Sequence, residues 1–540
     1  MGAIVLDQTV SMPSVARMAV VDWCAVCIYL AAIITYGVLV SRRRQGVNDY
    51  FLASRGSSWP TIGLALLASN ISSTTLIGLS GAAYAFGIAV YDYEWMAGVV
   101  LAFFCVFFLP YLLRSQVFTM PEWLERRYDR PTRLYFTALT IFLNIVVDAS
   151  GTLFGGALML RLILPGVPLG WIIAGLAMLA GIYTVVGGLR AVMRTEVVQA
   201  VLLLGASVVI SVFAFSRAGG WAHVMASVPA AKLHLILPAN NPGLPWTGLV
   251  TGVPLIGFYF WCTNQFMVQR VLSARDANHG RWGVLFAGAL KLPVLFLMVL
   301  PGSCALLLFP HLERADEVYP TLVFSLLPHG LIGIVVAGFL AALMSAVAST
   351  FNSASTLVTM DLVRTSMPNL SGRTLVRVGQ AATLTIMALT VAWAPNIATF
   401  SSLWQYLQSI LAYLVPPVVA IFLVGQFWPR ANARGAHLAL AVGLLLGVLL
   451  FYANEFATPA LGLHFLLVAP LIFVASVVIL VLGSLGFGGV AKSGTGDLVW
   501  TMAHFEEERR GMAGIAAWKD YRVLAGMLLV VTAGIVIWFR

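Results

Sequence analysis

Leu67-Ala68-Ser69-Asn70-Ile71-Ser72-Ser73-Thr74-Thr75 lies in the middle of an apolar run from Trp59 to Ala82. Ser, Thr and Asn side chains compete with the backbone for hydrogen bonds, so such a tract marks a helix that is broken in its centre. A second run, Leu244 to Gln269, carries Gly257-Phe258-Tyr259-Phe260-Trp261-Cys262-Thr263-Asn264-Gln265 at mid-depth. Working outward, and setting aside the first apolar run, these become the first and sixth of ten, which are equivalent positions in two five-helix halves. Interrupted helices so placed point to an inverted-repeat transporter with a binding site near the bilayer midplane. Unwound backbone there offers carbonyls to a cation and amides to a ligand. Helix packing through small polar residues would explain one tract but not the pairing.

Composition places both runs in a membrane. Of 540 residues 60% are hydrophobic and only 10% charged, with mean hydropathy +0.93; a soluble chain carries about 25% charged residues. Apolar runs long enough to cross a bilayer recur fourteen times, from Met18–Val40 to Leu524–Trp538. The fold expected is all-α and integral to the membrane. Residues 1–48 form an extra span and loop, 49–216 and 217–430 the two five-span repeats, and 431–540 three accessory spans with a cytoplasmic loop. The first run is too long for a signal-peptide core and lacks a cleavage site, so it is read as an uncleaved span.

Most of the 31 lysines and arginines fall on one side when the spans alternate. Among these are Arg42, Arg43, Arg44, Arg55, Arg270, Arg364 and Lys492. Arg17, Arg161, Arg217, Lys232, Arg314 and Arg540 fall on the other. The positive-inside rule then puts both termini outside the cell, in a multi-pass plasma-membrane protein. The net charge of +10 is thus a topology signal, and no nucleic-acid partner is expected. Cys24, Cys27, Cys105, Cys262 and Cys304 all sit in apolar runs and form no metal or disulfide framework. Glu506 to Arg510 reads as the solvated face of a surface helix. There is no nucleophile elbow, nucleotide loop or histidine cluster, so no enzyme is expected.

A charge at the bilayer centre costs at least about 2.5–3.5 kcal/mol, so each needs a reason. The candidates are Glu94, Asp148, Glu196 and Lys291, with Asp361 near an inner end. Lys291, the basic residue flanked by apolar sequence on both sides, is expected to pair with a carboxylate.

Several segments resemble the sodium/solute symporter family, sodium–glucose cotransporter branch. They are Asp49-Tyr50-Phe51-Leu52-Ala53, Ala68-Ser69-Asn70-Ile71-Ser72, Tyr93-Glu94-Trp95, Pro121-Glu122-Trp123-Leu124, Gly187-Gly188-Leu189, Trp261-Cys262-Thr263-Asn264-Gln265, Leu290-Lys291-Leu292 and Asn352-Ser353-Ala354-Ser355-Thr356. The resemblance implies a LeuT-type 5+5 core working by alternating access, with a neutral sugar or polyol and a sodium ion (Na+) as cargo and no organic cofactor. It places Asn70, Thr75, Glu94, Trp261, Lys291 and Gln408 at the sugar, Phe260 at an inner gate, and Glu94 beside Lys291. A polyol needs such convergent donors and acceptors beside an aromatic face.

The sequence also departs from the family pattern. Phe260 stands for the usual tyrosine, Thr75 for glutamine or histidine, Ala97 for serine and Gly257 for asparagine or threonine, which implies a roomier, less polar pocket. The sodium ligands implied are the carbonyls of Ala68, Ile71 and Ala342 with two adjacent hydroxyls, here Ser345 and Ala346, so one is missing. Ser69, Ser72, Ser73, Ser349 or a water are the candidate replacements. Glu196 takes the nearby acid position and opens proton coupling as the alternative to sodium; an uncoupled carrier and a non-transporting sugar sensor are the others.

Overall fold

The computed structural model describes residues 18–41, 47–400, 403–455, 462–486, 498–512 and 516–540. Arg17, Arg42 to Arg44 and Lys492, used in the charge argument, lie outside them. Among the described residues every regular element is helical. Ten helices are long and apolar enough to cross a membrane, or twelve with two bent pairs each taken as one span. The helix Leu169–Ile182 is shorter. It opens a 49-residue helix, Leu169–Arg217, broken at Gly188 (φ 61, ψ −161). A Cβ at Gly188 would run into the carbonyl and ring of Tyr50, so glycine serves both the left-handed turn and the close approach.

Both expected interruptions are present. The helices Trp59–Asn70 and Ser73–Phe86 meet at 62° across Ile71 and Ser72. Thr75 closes this break: its hydroxyl donates to the Asn70 carbonyl at 3.0 Å and accepts the Ser72 N–H at 3.3 Å. In the other tract, Trp246–Phe258 passes into a π-helical turn, Tyr259–Thr263. Asn264 is then extended (φ −65, ψ 127) and caps the helix Gln265–Leu272. A third bend, 51° between Leu403–Leu414 and Pro416–Phe427, was not expected, although Pro416 and Pro417 are its visible cause.

The long, almost wholly buried helix Leu331–Leu357 forms the centre and packs along Leu169–Arg217 and against the first break. Several charged groups in this core have fixed polar partners. Asp361 accepts from Arg133 Nε at 2.9 Å and from Thr119 at 2.7 Å. Arg127, fully buried, donates to the carbonyls of Gly425, Ala431 and Trp428 at 2.8–3.0 Å. Arg270 requires a correction. The sequence assigns it to a connecting segment, but it is completely buried and forms an ion pair with the equally buried Glu196.

Candidate functional site

A cavity of about 120 Å³ opens beside the first break. Asn70 and Thr75 line it from the broken span and Glu94 from Asp92–Phe107. Phe260 and Trp261 come from the π-turn, and Gln408 from Leu403–Leu414. Six of the seven residues expected at the sugar or gate therefore share one cavity. Thr75 lines the cavity with the same hydroxyl that closes the helix break. Gln408 keeps its side-chain oxygen buried and without a partner, an acceptor left for a ligand.

Lys291 stands behind this wall. Its ammonium forms an ion pair with Glu94 and donates to the Asn70 side-chain oxygen, and it lies 5.6 Å from the Trp261 ring. The expected pairing is present, and the lysine fixes two lining side chains at once. Burying an ion pair is tolerable only when the partners' remaining atoms are also satisfied, which Asn70 supplies. Phe260 packs edge-on against Trp261 and Phe266, each 5.4 Å away, on one side of the cavity.

Sequence reasoning missed a second aromatic pair. Tyr93 and Trp404 meet edge-to-face at 5.4 Å and line both this cavity and a vestibule of about 400 Å³. The vestibule is also bordered by Phe86, Asp316, Gln405, His464 and Phe465. Tyr93 adjoins the recognised Glu94, but nothing in the sequence brings Trp404 to it. Asp92, completely buried with the Trp95 indole donating to it at 2.6 Å, was also passed over.

The groups expected around sodium converge at the same break. The Ser345 hydroxyl reaches the carbonyl oxygens of Ala68 at 2.7 Å and Ala342 at 2.9 Å. Ile71, whose N–H bonds back to Leu67, ends the first half-helix there. Ala346 presents its methyl group to the cavity. The four serines named as replacements for its missing hydroxyl bond other groups. Ser69 and Ser349 bond Glu196, Ser72 bonds Thr74, and Ser73 donates to the Thr152 carbonyl at 2.5 Å. Glu196 thus collects Arg270 and two hydroxyls into a closed, neutral cluster beside Ser345.

The family model for the sodium:solute symporter family matches residues 50–443. A sodium/glucose cotransporter 1 of Ovis aries is 33% identical over 90% of this chain and 82% of its own length. A sodium/mannose cotransporter of Bos taurus is 35% identical over 87% of each chain. A solved structure of a Na+-coupled sialic acid symporter, substrate-bound and outward-open, superposes with a TM-score of 0.78. It shares 20% identity and covers 88% of this chain and 100% of that one, a likeness of fold. Broken helices around a polar cavity, a match over most of the length and relatives above 30% identity lead to one conclusion: this chain is a membrane transport protein, not an enzyme, and belongs to the sodium:solute symporter family.

Proposed function

We propose that the protein is a secondary active transporter that carries a hexose-like sugar or related polyol into the cell together with sodium, by alternating access. One observation carries this reading: Asn70, Glu94, Trp261 and Gln408, from both halves of the chain, meet in one cavity at a broken helix, with Ser345 and two backbone carbonyls at the same break. Glu94, Asn70 and Gln408 offer acceptors and donors to hydroxyls, and Trp261 offers an aromatic face. Sodium binds between the first break and Leu331–Leu357, at Ser345 and the Ala68, Ile71 and Ala342 carbonyls, with Glu196 behind them. The sugar and mannose cotransport named for the relatives agrees with this cargo.

The same reading assigns fourteen spans, counting Leu169–Ile182 and the interrupted 246–272 segment with the twelve. Residues 49–216 and 217–430 are then the inverted repeats, flanked by the 1–48 span and the three accessory spans of 431–540. Both termini lie outside the plasma membrane. Phe260 gates the inner side, and Tyr93 with Trp404 separates the cavity from the vestibule.

Uptake of labelled hexoses into proteoliposomes, with sodium and pH varied independently, tests the proposal. Sodium-dependent accumulation supports it. Accumulation that ignores sodium and collapses with a protonophore replaces sodium by a proton, and uptake indifferent to both makes the protein a facilitator.

A further inference from the structure

Three carboxylates in the helical core have a cationic partner: Glu94 has Lys291, Glu196 has Arg270 and Asp361 has Arg133. Asp148, which lines the central cavity, has no basic side chain within ion-pair distance among the described residues. A lone carboxylate at this depth is costly, so something positive is needed to offset it.

Its surroundings carry a concentration of polar atoms with no partner. Asp148 Oδ2, both ends of the Asn144 amide, Thr140 Oγ1, Tyr259 Oη and Asn264 Nδ2 are all buried without a well-formed hydrogen bond, with only the looser approaches of Tyr259 to Thr140 and of Asn264 to Asp148 among them. Asn144, Thr140 and Tyr259 are fully buried, and Asn264 is nearly so. Folded proteins leave few such atoms, and several in one place indicate a missing partner. Thr140, Asn144 and Asp148 recur every fourth residue, which puts them on one stripe of a helix. That helix turns π-helical over Asn144–Ala149, a distortion frequent at functional sites. Opposite, Tyr259 opens the second π-turn with its phenol beside Thr140 and Asp148. Asn264 caps the following helix through its oxygen and stands beside Asp148. Asp92, another buried carboxylate with no ion pair among the described residues, has the Trp95 indole as donor.

We infer that Asp148, Asn144, Thr140 and Tyr259 form a binding site for a second monovalent cation, sodium in kind, next to the sugar cavity and separate from Ser345. The donors are all oxygens, with no imidazole or thiolate, which suits a hard cation. One carboxylate balances one positive charge, whereas a divalent ion would leave an excess charge in the membrane. Water would satisfy the hydrogen bonds but not the charge, and a proton would neutralise Asp148 but leave the other oxygens unsatisfied. A monovalent cation offsets the charge and gives the oxygens a common partner, while the Asn264 amide hydrogens face the Asp148 carboxylate. Because Asp148 also borders the central cavity, an ion there adjoins the bound solute and is thermodynamically coupled to it. The inference deepens the proposed sodium symport, but the site itself does not require that the solute be a sugar.

The test counts ions on the full-length protein in detergent, with radioactive sodium and no sugar. The wild type is expected to bind about two sodium ions per chain. Asp148→Asn and Ser345→Ala should each retain about one, and the double variant none. The ion kept by each single variant shows that its fold survives. Asn144→Leu, which leaves the carboxylate in place, should weaken one of the two ions about tenfold and spare the other. The site is refuted if Asp148→Asn binds as much sodium as the wild type, or if the wild type binds one ion that only Ser345→Ala removes. Should Asp148→Asn fail to fold, unchanged sodium affinity in Asn144→Leu refutes it equally. Two ions bound by a protein that moves no sugar would keep the cation site and reject the sugar.

Discussion

Replacing Lys291 by methionine keeps most of the side-chain volume and removes the charge, leaving Glu94 buried without its partner and Asn70 without a donor. Both charged groups are at most 5% exposed, so solvent does little to relieve the loss. Breaking a buried pair from one side costs about 3–5 kcal/mol, whereas replacing both partners by neutral groups of similar shape is often close to neutral. Lys291→Met should therefore destabilise the protein by about 3–5 kcal/mol, and Glu94→Gln should do so by a comparable amount. The double variant should recover most of that loss, so the cycle should give a coupling energy of about 5 kcal/mol or more. Thermal unfolding in detergent, followed by tryptophan fluorescence, reads all four proteins. Sugar uptake should be lost in the double variant even where stability returns, because Asn70 and position 94 are then no longer held. Equal stability for Lys291→Met and the wild type, or a double variant as unstable as the sum of the singles, would refute the pairing argument.

Gln408→Ala removes the unpartnered acceptor of the cavity and should cut hexose uptake at least tenfold in proteoliposomes, with protein levels in the membrane unchanged. Ala346→Ser adds a hydroxyl beside Ser345 and should lower the sodium concentration needed for half-maximal uptake, while Ser345→Ala should raise it. Glu196→Gln leaves the Arg270 guanidinium buried without a counter-charge, so it should destabilise the protein by about 3–5 kcal/mol in the same unfolding assay and not simply alter pH dependence. A Cβ at Gly302 would run into the Ser80 carbonyl, so Gly302→Ala should cost about 1–3 kcal/mol and lower the yield of folded protein.

The broken spans were legible because their signal is local. Ser, Thr and Asn inside an apolar run disturb the helix wherever the chain folds, and the break falls at Ile71 and Ser72, within the quoted tract. Lys291 was legible for a similar reason, since apolar sequence on both sides leaves it no route to water. Arg270 was not. It follows the second interrupted run, where hydropathy alone ends the span, and only the packing of Gln265–Leu272 against Leu331–Leu357 and Trp59–Asn70 buries it. Position placed Thr75 at the cavity but did not show the second use of its hydroxyl, which satisfies the backbone that the break exposes. Trp404 and Tyr93 lie far apart in sequence, and no pattern within either segment announces their contact.

The Glu196–Arg270 pair bears on the coupling ion as much as on stability. Protonating Glu196 would strand a guanidinium with no exposed surface, so a cycle that loads and unloads a proton there pays for a buried uncompensated cation at every turn. The pair is neutral as it stands, and Ser349 and Ser69 close it. The proposed sodium site beside it therefore has no free carboxylate to balance an arriving ion. What remains is the Ser345 hydroxyl, the Ala68 and Ala342 carbonyls, and the negative end of the Trp59–Asn70 helix dipole, equivalent to about half an elementary charge. Dipoles can hold a sodium ion without cancelling its charge, so each ion bound adds a full positive charge to the moving part. Such a site responds to the membrane potential, which supplies about 2.3 kcal/mol per charge at 100 mV, enough for roughly fifty-fold accumulation of a neutral solute. The same economy of ligands makes the methyl group of Ala346 consequential. With few oxygens and no counter-charge, one hydroxyl more or less moves sodium affinity directly, whereas a carboxylate-anchored site at Asp148 would lose far less from the same change.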